Sequence, residues 1–293
     1  MTDELVGPVL QWYAAHARDL PWRRPGASAW SVLVSEIMLQ QTPVSRVLPA
    51  HEAWLARWPA PASLAAAAPA DALRQWGRLG YPRRAIRLHA SAQVLADDYA
   101  GEVPASVTAL AGLPGVGSYT AAAVASFAFG QRHAVLDTNV RRVLTRLVWG
   151  EHLPPRAPSA AERRLAESLL PPAPRRAARW SVAVMELGAL VCTAARPRCG
   201  GCPVARHCSW RLAGSPAGPE RPAAARYAGS DRECRGRLLT VLRDATGPVQ
   251  ASRLDAAWPA GVQRARALAA LIADGLAVPA ENGCYGLPTQ TGR

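Results

Sequence analysis

Four cysteines lie close together in the second half of the sequence. Cys192, Cys199, Cys202 and Cys208 have the spacing C-x6-C-x2-C-x5-C. In a reducing compartment such a group of thiolates indicates a metal or cluster site. Zinc sites usually combine two short C-x2-4-C pairs across a longer loop, and only one short pair is present here. The spacing therefore favours a [4Fe-4S] cluster, with zinc and then disulfides as alternatives.

Two carboxylates stand among apolar residues. Glu36 lies in a helix predicted over 30–42 and capped by Ser28, and that helix is apolar almost all round. If the Glu36 side chain is buried, its pKa rises, which suits a general acid; a solvent-facing glutamate is the alternative. Asp137 precedes a helix predicted over 140–149, where it either caps the helix or is a carboxylate held by Asn139. Each acid by itself leaves both interpretations open.

A glycine-rich turn joins two predicted helices. Leu113, Gly115 and Gly117 belong to the sequence LPGVG, which is followed by Ser118 and a helix predicted over 120–129. The two glycines permit positive φ angles, and backbone N–H groups at a helix N-terminus favour an anion. This is the helix-hairpin-helix way of holding a DNA phosphate without reading sequence. A plain connection between helices is the alternative.

The charge balance favours a polyanionic partner. The 293 residues carry 34 basic and 21 acidic side chains, a formal charge of +13, which points most simply to nucleic acid. All 34 basic residues are arginine. Without a lysine the chain has no side-chain amine for a Schiff base and no phosphate-loop lysine.

The organisation along the chain is mainly helical. Helices separated by Pro/Gly turns run to about residue 213, and a Pro/Gly/Ala-rich linker follows at 214–229. The last segment, 230–293, has the element order of a winged helix, with a small helical cap as the alternative. Its predicted elements are helices over 237–243, 251–258 and 262–274, then a hairpin of 276–278 and 284–287 turning at Asn282-Gly283.

Apolar stretches such as 121–129 are well short of the roughly 20 residues that a membrane span needs. The N-terminus is acidic and no long apolar segment follows it, so we expect no signal peptide. We therefore expect a cytoplasmic protein, and with a DNA partner a nucleoid-associated one.

Several motifs in the same order resemble one known family. LPGVGSYTA, LDTNVRR and the four-cysteine loop closely resemble the helix-hairpin-helix DNA glycosylase superfamily with an iron–sulfur loop. Within it, LPWR, SEIMLQQT, LGY and MELGALVC look like the adenine-specific MutY branch. The resemblance covers roughly residues 5–212. It implies a helix-hairpin-helix glycosylase fold and a [4Fe-4S] cofactor.

The resemblance also implies roles for individual residues. Glu36 would protonate N7 of a flipped-out adenine, Asp137 would stabilise or capture the cationic sugar, and Asn139 would support Asp137. Tyr119 stands where related enzymes that cut the DNA backbone have a lysine. Matching positions further imply adenine-pocket residues Trp22, Arg23 and Glu186, duplex-wedging residues Gln41, Leu79 and Tyr81, and phosphate-binding residues Leu113, Gly115, Gly117 and Ser118.

The activity implied is that of a monofunctional, monomeric adenine DNA glycosylase of base excision repair. Its substrate would be double-stranded DNA with adenine opposite 8-oxoguanine or guanine, and its product an abasic site. The sequence departs from the family in its tail, which does not resemble the usual Nudix-like domain, and in Pro82, which replaces the second tyrosine of a frequent pair. Arg264 and Arg266 on the third C-terminal helix would suit DNA contact or ordinary solvation.

Two other functions compete with this interpretation. A thymine/uracil mismatch glycosylase of the same superfamily can share the tyrosine at 119, but the Gln40-Gln41-Thr42 run and Glu186 favour adenine. A non-catalytic iron–sulfur DNA-binding regulator is the alternative from another class. It leaves Glu36, Asp137 and Asn139 without a role.

Overall fold

The computed structural model describes residues 2–218 and 226–289, and these are mainly helical, as predicted. Fifteen α-helices occur in the part of the chain that is described. In chain order they are α1 (Thr2–His16), α2 (Ala29–Leu39), α3 (Val44–Arg57), α4 (Pro61–Ala65), α5 (Pro69–Trp76), α6 (Arg83–Asp98), α7 (Val107–Ala111), α8 (Ser118–Phe129), α9 (Thr138–Leu144), α10 (Ala160–Ser168), α11 (Pro174–Leu190), α12 (Ser209–Leu212), α13 (Asp231–Asp244), α14 (Ala251–Ala257) and α15 (Gly261–Ala273).

Short elements complete the chain. A 3-10 turn at Pro21–Arg23 precedes α2, and a π-helical turn at Thr145–Trp149 continues α9. The described strands are β1 (Val249–Gln250), β2 (Val278–Ala280) and β3 (Cys284–Gly286). They form one antiparallel sheet in the order β1-β3-β2.

The C-terminal elements follow the predicted order, with one addition. Helices α14 and α15 and strand β3 lie where the sequence indicated, and Asn282 and Gly283 take positive φ angles in the turn. Helix α13 begins six residues before the predicted start at 237, and β2 begins two residues after the predicted start at 276. Strand β1 was not predicted, because two residues give no readable alternation. Residues 219–225 of the predicted linker lie outside the described residues.

The described helices form two compact units. The first lies within residues 1–36, 104–112 and 116–221, and the second within 37–103, 113–115 and 222–293. The C-terminal segment belongs to the same unit as residues 37–103. The domain boundaries at 213 and 230 stay predictions. Among the described residues, no helix combines the length and hydrophobicity that crossing a membrane requires.

The core of the first unit surrounds helix α11. Val184 and Leu187 of this helix are buried with Leu5 and Val9 of α1 and with Val143 of α9. Burying such side chains stabilises the fold by about 1.5 to 3 kcal/mol each. The residues at the start of α9 are therefore fixed against α11.

In the second unit, one buried arginine stands where two turns meet. Arg84 donates hydrogen bonds from Nη1 to the carbonyl oxygens of Ile37, Met38 and Gln40, at 2.9, 2.8 and 2.5 Å. Its Nη2 donates to the carbonyl of Gly80 at 3.0 Å. These acceptors include free carbonyls at the end of α2, which would otherwise be buried without partners. Arg84 thus holds residues 40–42 and 79–81 in one arrangement.

We expect Arg84→Lys to destabilise the protein, because an ammonium cannot reproduce the planar fork of donors. Leaving buried carbonyls unpaired should reduce the free energy of unfolding by roughly 2 to 4 kcal/mol. Denaturant unfolding measures this change. Arg83→Lys is the matched control, since Arg83 is exposed and its guanidinium pairs with the Asp274 carboxylate. An equal loss in both variants would contradict the role given to Arg84.

Candidate active site

Glu36 lies near the C-terminal end of α2, and its side chain is buried. The residue is 5 % exposed, so the solvent-facing alternative is wrong. The predicted cap is confirmed, since the Ser28 hydroxyl accepts a hydrogen bond from the Ser31 amide at 3.1 Å. Burial raises the pKa of Glu36 to about 7, against the lowering effects of a Tyr119 hydrogen bond and the Arg23 charge. The carboxyl group can therefore hold its proton much closer to neutral pH than an exposed glutamate does.

Tyr119, in the first turn of α8, is the hydrogen-bond partner of Glu36. Burial and the neighbouring carboxylates Glu36 and Asp137 raise the pKa of Tyr119 well above its usual range. The phenol therefore stays protonated. When Glu36 is charged, the Tyr119 hydroxyl is the donor and the carboxylate the acceptor of their hydrogen bond. Tyr119 is thus placed to orient the acid.

Asp137 fulfils both of the interpretations left open by the sequence. It caps α9, since Oδ1 accepts a hydrogen bond from the Val140 amide at 2.6 Å. Its Oδ2 accepts from Nδ2 of Asn139 at 2.7 Å. Burial nevertheless raises the pKa of Asp137, and its charge in turn raises that of Glu36. A charged Asp137 therefore makes Glu36 harder to deprotonate.

Asn139 is held in turn by two residues that the sequence reasoning missed. Arg142 donates from Nη2 to Oδ1 of Asn139 at 2.8 Å and to the Gly188 carbonyl at 2.7 Å. A Cβ atom on Gly188 would lie 2.7 Å from Cβ of Asn139, so only glycine permits α11 to approach this closely. Both residues lie within quoted motifs, LDTNVRR and MELGALVC, but nothing in the spacing marks them as partners.

Glu186 is a further acidic residue of this unit, and it is fully buried. Arg18 binds it through Nε and Nη2, each at 2.7 Å from a carboxylate oxygen, and Nη1 of Arg23 binds it at 2.7 Å. Burial alone would raise the pKa of Glu186, but these two arginines lower it to about 2. The structure therefore joins the predicted residues Arg23 and Glu186 as an ion pair, and adds Arg18. Trp22, beside Arg23, is buried.

The three predicted wedging residues, all in the second unit, differ in exposure. Gln41 and Tyr81 have positive φ angles of 57° and 48° and are exposed, Tyr81 by 53 %. Non-glycine residues with positive φ angles are strained, and such residues cluster at functional sites. Leu79 is only 6 % exposed, so its side chain is part of the core, and its wedging role stays a prediction.

The predicted phosphate hairpin connects α7 to α8. Gly115 has a φ of +81°, and a Cβ atom there would lie 2.8 Å from Cβ of Arg87. Leu113 is buried, so it can offer a phosphate only its backbone. Gly117 is the N-cap of α8 and Ser118 its first residue, where N–H groups have no partner within the helix.

The cysteine loop follows α11. Cys192, Cys199, Cys202 and Cys208 line one small cavity together with Arg146 and Trp210. Arg146 donates to Sγ of Cys192 at 3.4 Å and to the Thr193 carbonyl at 2.8 Å. Within the described residues, no three His, Cys, Asp or Glu side chains are arranged to hold a single metal ion. Cys234 is buried in the core and Cys284 lies on β3, apart from this cavity.

Comparison with known proteins agrees with this geometry. The sequence profile of the HhH-GPD superfamily of base excision DNA repair proteins matches residues 34–171. An adenine DNA glycosylase of Mycolicibacterium smegmatis is 53 % identical over 98 % of this chain and 99 % of its own length. One of Mycobacterium tuberculosis is 52 % identical over 96 % of this chain and 92 % of its own. The structure of a thermostable thymine-DNA glycosylase, 28 % identical, superposes with a TM-score of 0.64 over 72 % of this chain and 97 % of that one.

The helical fold and the match to the HhH-GPD superfamily thus define a DNA glycosylase of the helix-hairpin-helix class. Within that class, the chain belongs to the adenine DNA glycosylase family. The resemblance drawn from the sequence motifs is confirmed.

Glu36→Gln should stabilise the protein at neutral pH and above. The wild-type folded state loses stability as pH rises from about 4.5 to 7, because the Glu36 carboxyl ionises more readily in the unfolded chain. Glutamine does not titrate, so its advantage should grow over that range to roughly 3 kcal/mol. Denaturant unfolding at pH 5 and pH 8 measures this difference.

The exposed Glu52 of α3 supplies the control, because Glu52→Gln should give the same difference from wild type at both pH values. A Glu36→Gln advantage that is independent of pH would show that Glu36 is not a desolvated carboxyl group.

Proposed function

We propose that the protein removes adenine from duplex DNA where it is mispaired with 8-oxoguanine or guanine, and leaves an abasic site. The observation that carries this proposal is the pair of buried carboxyl groups, one with a pKa near neutrality and the other held by Asn139 and the first turn of α9. The high identity with adenine DNA glycosylases supports the same reaction.

Glu36 has the properties that the leaving group requires. Adenine departs poorly as an anion, so a proton must be delivered to the base as the N-glycosidic bond breaks. A carboxyl group with a pKa of about 7 is protonated often enough to donate that proton. We assign Glu36 as the acid that protonates N7, with Tyr119 orienting it.

Asp137 has the complementary role. Breaking the bond leaves positive charge on the sugar, which a nearby carboxylate stabilises electrostatically or captures before water attacks. Hydrogen bonds from Val140 and Asn139 favour the charged form of Asp137 against the cost of burial. Because the chain has no lysine, it has no side-chain amine for β-lyase chemistry, and we propose a monofunctional glycosylase.

The ion-paired Glu186 and Arg23 favour adenine over thymine as the base that is bound. Glu186 lies in the first unit with Glu36 and Asp137, and its two arginines keep it charged. A fixed carboxylate accepts hydrogen bonds, and adenine offers its exocyclic amino group as a donor. Flipping the base out of the helix costs a few kcal/mol, which wedging side chains such as Gln41 and Tyr81 help to offset.

The four cysteines fit a [4Fe-4S] cluster. Their thiols surround one cavity, and Arg146 and Arg142 bind the backbone at the start of the loop, which offsets the negative charge of thiolates. When bound, the cluster would cross-link the loop through Cys192, Cys199, Cys202 and Cys208.

Anaerobically purified protein should contain about four iron and four sulfide ions per chain and absorb visible light. Cys202→Ala should lose iron and absorption, because it removes one of the four ligands. Cys234→Ala is the matched control, since Cys234 lies outside the loop, and it should retain both. Zinc without visible absorption would contradict the cluster assignment.

The reaction is tested by single-turnover base release from four duplexes, with A opposite 8-oxoguanine, G or T, and with T opposite G. We expect adenine release opposite 8-oxoguanine and G only. Asp137→Asn should abolish release while DNA binding persists, because the amide keeps the shape of the site but not its charge. Thymine release from T opposite G, without adenine release, would overturn the proposal.

A further inference from the structure

A cleft of about 1030 Å³ lies within the second unit. One wall is formed by residues 77–87, and the other by helix α13 of the C-terminal segment. Gln41 and Tyr81, the two exposed residues predicted to enter the duplex, also line it. We call this feature the basic cleft, because arginines line both of its walls.

Arginines line both walls of the basic cleft. Residues 77–87 contribute four of them, namely Arg78, Arg83, Arg84 and Arg87. Arg84 is committed to backbone carbonyls, as described above. Arg78 and Arg87 are exposed, and their guanidinium groups have no acceptor among the described residues.

Helix α13 contributes the same number, namely Arg232, Arg235, Arg237 and Arg243. Eight arginines thus face two acidic residues, Glu233 and Asp274. Glu233 pairs with Arg237 at 2.8 Å, and Asp274 is shared by Arg83 and Arg235. Both acidic residues are therefore already paired with arginines of the cleft.

The excess positive charge is crowded. Burial lowers the pKa of Arg243, and the charge of nearby Arg78 lowers it further. Like charges held together on a folded surface cost free energy unless a counter-charge is present. Exposed tyrosines, Tyr81 and Tyr227, also line the cleft, and aromatic rings are surfaces on which bases stack.

The sequence left open whether Arg264 and Arg266 of α15 contact DNA or are simply solvated. Arg266 is paired with Asp231 at 2.8 Å and Arg264 with Asp255 at 2.7 Å. These two arginines, singled out in the sequence, are neutralised within the C-terminal segment. The exposed Arg78 and Arg87, by contrast, line the basic cleft.

We infer that the basic cleft binds the sugar-phosphate backbone of one DNA strand, which runs along α13 from the point where Gln41 and Tyr81 enter the duplex. The C-terminal segment would thereby extend the DNA-binding surface through phosphate contacts that do not read sequence. The inference rests on the proposed function, because it takes the substrate duplex as the ligand.

The test compares DNA affinity over a range of salt concentrations. Arg78→Gln/Arg232→Gln removes one exposed arginine from each wall of the basic cleft. It should weaken duplex binding and lower the slope of log K against log[salt] by about 1.8, since each lost phosphate contact removes about 0.9. Arg232→Gln alone should lower it by about 0.9. The control, Arg253→Gln/Arg266→Gln, removes two charges from the C-terminal segment outside the cleft and should leave the slope unchanged.

Binding is measured on a duplex without a mispair as well as on one with A opposite 8-oxoguanine, so the result does not depend on base release. Thermal unfolding of each variant verifies that it is folded. An unchanged slope in the cleft variant, or an equal decrease in the control, would overturn the inference while leaving the glycosylase proposal intact. Absence of adenine release by the wild type, with the slope change present, would overturn only the proposed function.

Discussion

In the first unit, the arrangement of the candidate active site depends on the hydrogen bonds of a single buried arginine, Arg142. Besides Asn139 and Gly188, it binds the Cys192 carbonyl through Nε at 2.7 Å. One guanidinium group therefore connects the residue that supports Asp137, the helix α11 and the first cysteine of the loop. A lysine could not make these contacts, because its ammonium lacks the fixed, planar arrangement of donors. The composition of the chain, in which every basic residue is arginine, suits this kind of multiple backbone contact.

Glu36 and Glu186 show how the surroundings of a carboxyl group determine its chemistry. Both are buried, and burial disfavours the charge on each. Two arginines at hydrogen-bond distance outweigh burial at Glu186, so its pKa falls to about 2. At Glu36 a tyrosine hydrogen bond and a more remote Arg23 do not, so its pKa rises to about 7. One glutamate is thereby a fixed charge and the other a proton donor.

Sequence patterns predicted the helices where the apolar periodicity was long, and they failed where an element was short or distorted. The helix predicted over 140–149 is α9 followed by a π-helical turn, a change of hydrogen bonding that leaves no mark in composition. The burial of Leu79 was likewise not visible in the sequence, where the family resemblance implied a wedging role for this residue. The turn that contains it is held by Thr42, whose hydroxyl donates a hydrogen bond to the Leu79 carbonyl at 3.3 Å.

The sequence alone determined which chemical groups are present and in which order: the four cysteines, the glycine turn, the two candidate acids and the absence of lysine. Those features depend on residue type and local spacing, which are visible in the chain. Tertiary structure decided which acid is desolvated, which carboxylate is neutralised by arginines, and that Arg18, Arg142 and Gly188 complete the site. These properties arise from groups that are far apart in sequence, as Arg18 and Glu186 are, and only folding brings their charges within a few ångströms.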